Sequence, residues 1–173
     1  TPDSFSDGGD YNTTSDAVAR GRAMAKAGAS ILDIGGESTR PGAADVSEDE
    51  EINRVVPVIR ELAADGHVIS IDTRHASVME AALDAGAAII NDVTGLEGDE
   101  RSMEVAAASG KPVMLMHMQG EPGTMQADPQ YDCAVLDVYD YLLDRIESCE
   151  RAGIARERIC VDPGIGFGKT LSH

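Results

Sequence analysis

Tryptophan is absent from this 173-residue chain, and aromatic residues make up only 3% of it. Any core must therefore be built from Ala, Val, Ile, Leu and Met. Basic residues are also scarce. Fourteen Lys and Arg stand against 31 Asp and Glu, a net charge of -17. Such a field repels phosphate backbones and anionic lipid surfaces, which argues against nucleic acid or membrane as a partner. Cysteine is limited to Cys133, Cys149 and Cys160, with no CxxC spacing. That pattern fits reduced structural thiols in a cytoplasmic protein better than a disulfide framework. No run approaches the ~18 apolar residues that would span a bilayer, and no signal peptide is recognisable. An initiating Met is missing too. The chain opens inside the loop-like run TPDSFSDGG and stops at His173, just after a Gly-rich segment. Both ends read as cut, so a fragment of a longer chain is expected.

What is present is globular in character. Apolar residues reach 42% and charged residues 26%, and the length suits one domain with one core. No low-complexity linker divides it. A loose repeat does: five times a helix-like segment ends at a glycine and a short apolar run follows. The glycines are Gly28, Gly66, Gly86, Gly110 and Gly153, and the runs are 30–34, 68–72, 87–91, 113–117 and 159–162. Glycine suits the left-handed position that closes a helix. The runs look continuous rather than alternating, as in a parallel sheet buried on both faces.

The intervening segments read as helices. Residues 49–64 place Ile52, Val55, Val56, Ile59 and Leu62 on one stripe. Ser47 and Glu50 form a capping-box pattern before it, and Pro57 should kink it or free a carbonyl. Residues 132–151 carry Val135, Val138, Tyr139, Leu142, Leu143 and Ile146 at helical spacing. Shorter helices are expected at 15–27, 76–85 and 99–109. Alternating strands and helices imply either a (β/α)8 barrel or an open doubly wound sheet. Polar residues finish the runs, namely Asp33, Asp72, Asn91, His117 and Asp162. Five such residues, each followed by a loop rich in Gly, Pro or Thr, favour one shared site at the C-terminal edge of a barrel. Five strands cannot close an eight-stranded barrel. The expected fold is therefore α/β, an incomplete TIM barrel over residues 1–173, lacking the first and the last strands. Its open edges predict a marginal, aggregation-prone chain in isolation.

Individual motifs are less decisive. DPGIGFGKT is not a phosphate loop, because Pro163 stands where G-x-x-x-x-G-K-[ST] needs glycine. It leaves a Gly-rich turn with a cation, Lys169, and an exposed Phe167; an ordinary βα turn accounts for the same residues. DIGGESTRPG joins Asp33 to hydroxyls at Ser38 and Thr39 and to Arg40, whose fork suits phosphate oxygens. A solvated surface arginine is the bland alternative. In TPDSFSDGG, Asp3 and Asp7 offer hard oxygen ligands that suit Mg²⁺, although turn chemistry explains them equally well. His117 has no second histidine at metal-ligand spacing, so a zinc site is not expected.

Taken together, TPDSFSDGG at 1–9, DIGGESTRPG at 33–42, ISIDT at 69–73, AGAAIINDVTGL at 85–96, LMHMQG at 115–120 and DPGIGFGKT at 162–170 closely resemble the dihydropteroate synthase family of folate biosynthesis. The resemblance runs from one end of the chain to the other. It implies a (β/α)8 barrel that condenses 6-hydroxymethyl-7,8-dihydropterin diphosphate with 4-aminobenzoate, releasing pyrophosphate with help from Mg²⁺. By carry-over, Asp72, Asn91 and Asp162 resemble the groups that hydrogen-bond the pterin ring. Asp33 and Met116 would line that pocket, with Phe167 nearby. Thr39 and Arg40 resemble diphosphate contacts, Phe5 and Pro41 the loop residues that enclose the aminobenzoate, and Asp7 a metal-site residue. Asp72, Arg40 and Asp7 are the catalytic candidates, and the partners implied are small-molecule substrates, with a homodimeric parent compatible with the resemblance. The family's first strand, ending in Asn-Val, and its later Ser-Arg-Lys and Arg-x-His strands are not in this sequence. Both pterin and anion sites would therefore be incomplete here, and the fragment itself inactive. Two alternatives stand beside this reading. Pterin-binding methyltetrahydrofolate methyltransferases would share the barrel but not the TPDSFSDGG and ESTRPG loops. A non-catalytic pterin-binding protein would share the fold.

Overall fold

The computed structural model describes Thr1 and residues 14–38, 45–120 and 123–173. Five strands and five helices alternate along them. The strands are β1 (Leu32–Gly35), β2 (Ile69–Asp72), β3 (Ile89–Asp92), β4 (Val113–Met116) and β5 (Ile159–Asp162). The helices are α1 (Thr14–Lys26), α2 (Glu48–Ala64), α3 (Ala76–Ala85), α4 (Ser102–Ser109) and α5 (Ala134–Arg151). Every neighbouring strand pair is parallel, and the spatial order is the chain order, β1-β2-β3-β4-β5. A doubly wound sheet reverses its order at a switch point. An unbroken sequential order is that of a barrel wall, so the architecture is an incomplete (β/α)8 barrel.

The register separates two faces. Leu32, Ile34, Ile69, Ile71, Ile90, Val113 and Leu115 alternate with Asp33, Gly35, Ser70, Asp72, Asn91, Met114 and Met116. The first set packs against Val18, Val55, Ile59, Leu62, Val78, Met79 and Val105 of the helices, in one continuous core. Burying each such side chain contributes about 1.5–3 kcal/mol. The second set lines the concave side. The runs that look continuous in the sequence alternate in chemistry once paired; the expected parallel sheet is present, and Ser70 and Met116 are buried on its inner face as the isoleucines are on the outer. Apolar residues among the inner positions, namely Ile89, Met114 and Met116, mask the period of two.

All five glycines singled out in the repeat adopt positive φ: Gly28 at 110°, Gly66 at 87°, Gly86 at 118°, Gly110 at 60° and Gly153 at 95°. Each lets the chain leave a helix end and turn back into the sheet. At the start of α2 the Ser47 hydroxyl accepts the Glu50 amide (3.3 Å). The Glu50 carboxylate does not complete a capping box but pairs with Arg54, one turn on (2.9 Å). Four acidic residues in the first turn complement the helix dipole. The helix continues through Pro57 to Ala64, although the ring nitrogen has no proton to offer the Asn53 carbonyl.

Two expected stripes shift. In α2, Glu51 and Val58 join the buried set while Ile52 and Val56 are only half-buried. In α5 the inward stripe is Val138, Leu142 and Cys149, whereas Val135 and Tyr139 are 72% and 62% exposed. The rotation follows from Tyr141 and Arg145, which reach the loop after β3: Arg145 Nε donates to the Gly95 carbonyl (2.9 Å) and Nη1 to Glu97 (2.7 Å). α4 starts at Ser102 rather than at 99, because Asp99 is occupied as an acceptor for the Ala76 amide at the start of α3 (2.9 Å) and for the Arg101 amide (2.8 Å). No described helix is long and apolar enough to cross a membrane.

Candidate active site

The concave face is the site the strands build. Its lower layer pairs Asp33 of β1 with Ser70 of β2. The layer above aligns Gly35, Asp72, Asn91, Met114 and Cys160, and above that Met116 aligns with Asp162. Because parallel strands share one C-terminal edge, residues far apart in sequence gather there. Asp33 is not a strand-end residue; it lies one layer deeper than Asp72. Its carboxylate accepts the Ser70 hydroxyl on one oxygen and the Asn91 amide on the other (3.4 Å).

The electrostatics follow from that crowding. Asp72 is half-buried. Desolvation first, then the charges of Asp33, Asp92 and Glu51, push its carboxyl up to about 8. In the ligand-free protein near neutrality, Asp72 thus holds a proton over much of its population. Asp33 faces the open side, yet its carboxyl is packed low among strand atoms. Desolvation raises it, while the bonds from Ser70 and Asn91 favour its charged form. Asp92 points the other way, into the helix layer, where it is fully buried. It accepts the Thr94 amide and hydroxyl (both 2.7 Å) and the Leu96 amide (3.1 Å). Burial raises it and those bonds oppose the rise. It builds the turn after β3, where Leu96 sits at φ 65°.

Asp162 and Met116 lie on the same concave face, toward the β5 edge. Met116 is buried; Asp162 is exposed, and its carboxylate accepts the Gly164 amide (2.7 Å). His117 leaves this face. Its ring meets Tyr141 of α5 edge-on at 4.9 Å, and its Nδ1 lies 2.9 Å from Lys169 Nζ. Lys169 also donates to the carbonyls of Gly164 and Phe167 (3.0 Å each) and His117 (3.3 Å). The His117 ring is accordingly held below its usual range, by desolvation and then by the ammonium. The Lys169 cation is thus an internal strut of the loop after β5. Phe167 on that loop is half-buried rather than exposed. Gly164 shows how closely the two loops meet: it has φ 66°, and a Cβ there would lie 2.0 Å from the His117 carbonyl.

The loop after β1 is anchored at both described ends. Glu37 takes a fork of two bonds from Arg74 (3.0 and 3.2 Å) and accepts the Val46 amide (3.3 Å). Arg54 Nη1 donates to the Gly36 carbonyl (3.0 Å). Below it, buried Glu51 meets His75 Nδ1 at 2.9 Å. Glu37, Glu51 and His75 are close enough to hold an ion, but each carboxylate already has a cationic or imidazole partner. Phe5, Asp7, Thr39, Arg40 and Pro41 lie outside the described residues. The structure therefore brings Asp33, Asp72 and Asn91 into direct company and sets Met116 and Asp162 on the same face.

Ser70, Asp92 and Glu51 escaped the sequence reading. A buried serine between two isoleucines gives a signal only once the strand register is known. For Asp92, the Asp-x-Thr spacing of a local side-chain turn was present in NDVTG.

The chain thus forms a parallel barrel wall with a polar, carboxylate-bearing concave face. Its family is given by comparison: the model of the pterin binding enzymes matches residues 1–173, and the chain belongs to that family. Dihydropteroate synthase of Escherichia coli (strain K12) is 52% identical over 174 residues, which take in 100% of this chain and 61% of that protein. The crystal structure of Yersinia pestis dihydropteroate synthase with a sulfonamide drug complex superposes with a TM-score of 0.96 at 49% identity, covering 99% of this chain and 62% of that one. Burkholderia cenocepacia dihydropteroate synthase complexed with 7,8-dihydropteroate gives a TM-score of 0.85 at 46% identity, over 91% of this chain and 56% of that one. The chain thus spans about three fifths of the length of the relatives it matches.

Proposed function

We propose that the full-length protein is a dihydropteroate synthase, joining 6-hydroxymethyl-7,8-dihydropterin diphosphate to 4-aminobenzoate with release of pyrophosphate. The observation that carries this reading is the Asp33–Asp72–Asn91 group on the concave face of a pterin-binding-family barrel wall. In the reaction, the bond from the exocyclic methylene to the diphosphate oxygen breaks, and its electron pair leaves with pyrophosphate. The arylamine nitrogen then bonds to the methylene and loses a proton.

Asp72 and Asn91 are assigned to the ring's polar edge, with Asp162 completing the set from the β5 side. Ring N–H donors, or positive charge developing at the methylene, would favour the ionised form of Asp72 over the protonated form preferred in the ligand-free site. Asp33 and Met116 line the pocket and Phe167 borders it. Thr39 and Arg40 are assigned to the diphosphate, where the arginine fork matches phosphate oxygens. Phe5 and Pro41 are assigned to the aminobenzoate. A hard carboxylate oxygen at Asp7 fits Mg²⁺ by donor type. Such an ion, when bound, would offset the charge of the leaving pyrophosphate. The three described cysteines are free, which accords with a cytoplasmic location.

The test is direct. Full-length protein supplied with both substrates and Mg²⁺ should form 7,8-dihydropteroate and pyrophosphate in equal amounts, and a sulfonamide should compete with 4-aminobenzoate. Pyrophosphate release without a pterin–arylamine product would overturn the assignment.

A further inference from the structure

We propose that Ser70 is a positioning residue of the pterin site: its buried hydroxyl and the Asn91 amide fix the Asp33 carboxylate between two neighbouring strands, so that Asp33 and Asp72 enter ligand binding as an unequal pair. The inference rests on the pterin reading given above.

Ser70 lies directly across from Asp33 in the β1–β2 register and is completely buried. A buried hydroxyl without a partner is costly, and the flanking outer positions of β2 are both isoleucine. Here the partner is specific: the hydroxyl donates to Asp33 Oδ1. Asn91 Nδ2, from the third strand, donates to Oδ2 (3.4 Å). One donor per oxygen, from the adjacent strand and the strand beyond it, sets the plane of the carboxylate and favours its charged form. Asp72 is two residues beyond Ser70 on the same face. It meets the Asp33 charge from β1, Asp92 from β3 and Glu51 from α2. Two crowded carboxyls do not ionise alike. The Ser70 donor decides which of them keeps the charge.

The experiment uses full-length protein as wild type, Ser70→Ala, Asp33→Asn and the double variant. Carboxyl ¹³C titration of the ligand-free proteins reads protonation without relying on function. In Ser70→Ala, the Asp33 midpoint should rise by about one pH unit and the Asp72 midpoint should fall. Calorimetry with 6-hydroxymethyl-7,8-dihydropterin lacking phosphates reads the consequence. Ser70→Ala should weaken binding about tenfold, yet change it less than about twofold when Asp33 is already Asn. Unmoved carboxyl midpoints, or fully additive losses, would overturn the proposal. A wild type that binds no pterin would sink the functional reading, and the titration would still decide the role of Ser70.

Discussion

The same five strands present two chemistries. Their outer face carries Ile69, Ile71, Ile90, Val113 and Leu115 into a dry layer under the helices, each fully buried. Their inner face carries Asp33, Ser70, Asp72 and Asn91, with Ile89, Met114 and Met116 as the large apolar groups among the registered positions. On the outer face identity is nearly interchangeable, since volume and hydrophobicity fix the energy. On the inner face Asp33, Ser70 and Asn91 are held by one another, and the arrangement costs stability: Asp72 is desolvated and feels the charges of three other carboxylates. The outer layer folds the barrel wall; the inner layer spends part of that stability on a polar, carboxylate-bearing surface.

The largest effect expected from breaking this division comes from the outer face. Ile71→Ala removes a fully buried side chain and should destabilise the full-length protein by about 2–5 kcal/mol in a denaturant titration. Its affinity for unphosphorylated pterin, measured below the transition, should stay within about twofold. A large selective loss of affinity would mean that the two faces are not separable.

Next in size is the joint between the loops after β4 and β5. Gly164→Ala adds a Cβ where the backbone has φ 66° and the His117 carbonyl stands in the way. It should cost about 1–3 kcal/mol or displace the loop, and with it the Lys169 strut. Increased proteolysis or amide exchange at 163–170 would report the displacement. Unchanged stability and exchange would show that the two loops are not coupled as described.

The inner face has the opposite signature. Asp72→Asn should stabilise the ligand-free protein, and the gain should depend on pH. A carboxyl pushed up to about 8 holds a proton in the folded protein that it has lost in the unfolded chain. Between its ordinary value near ~4 and 8, the folded state binds more protons, so this group's contribution to stability falls as pH rises. The advantage of Asn should therefore grow from pH 4 to 8 and level off above. Parallel unfolding curves for wild type and variant across that range would contradict the crowding.

The smallest effect lies outside both faces. Arg101 and Glu80 pair at 2.6 Å with both side chains about half exposed, and Arg101→Gln should shift stability by no more than ~0.5 kcal/mol.

How far the sequence disclosed this division depends on the level. The element order, the helix-closing glycines and the gathering of Asp72 and Asn91 on one edge were readable, because spacing and turn chemistry are local. Faces were harder to read. A four-residue strand such as IIND gives too few positions to show a period of two, and Asn91 with Asp92 puts polar groups on both sides. Pairing of Asn91 with Asp72 and Met114, which are remote in sequence, decides which one faces in. His117 looked like a member of the edge set because it ends its run, yet one residue of phase turned it toward α5. Glu51 draws no notice in the sequence and Lys169 stands only as a cation in a Gly-rich turn, because their partners, His75 and three loop carbonyls, are brought by the fold. The α5 stripe was misplaced for the same reason, since Tyr141 and Arg145 are fixed by the loop after β3.

The central claim is that the inner carboxylates read the pterin ring while the outer layer only supports them. The most direct test is the dissociation constant of 6-hydroxymethyl-7,8-dihydropterin, without phosphates, for full-length wild type and for Asp72→Asn under the same conditions. Loss of one charge-assisted contact should weaken binding at least tenfold in the variant, even though its ligand-free fold is the more stable of the two. Equal affinity in a folded variant would contradict the account.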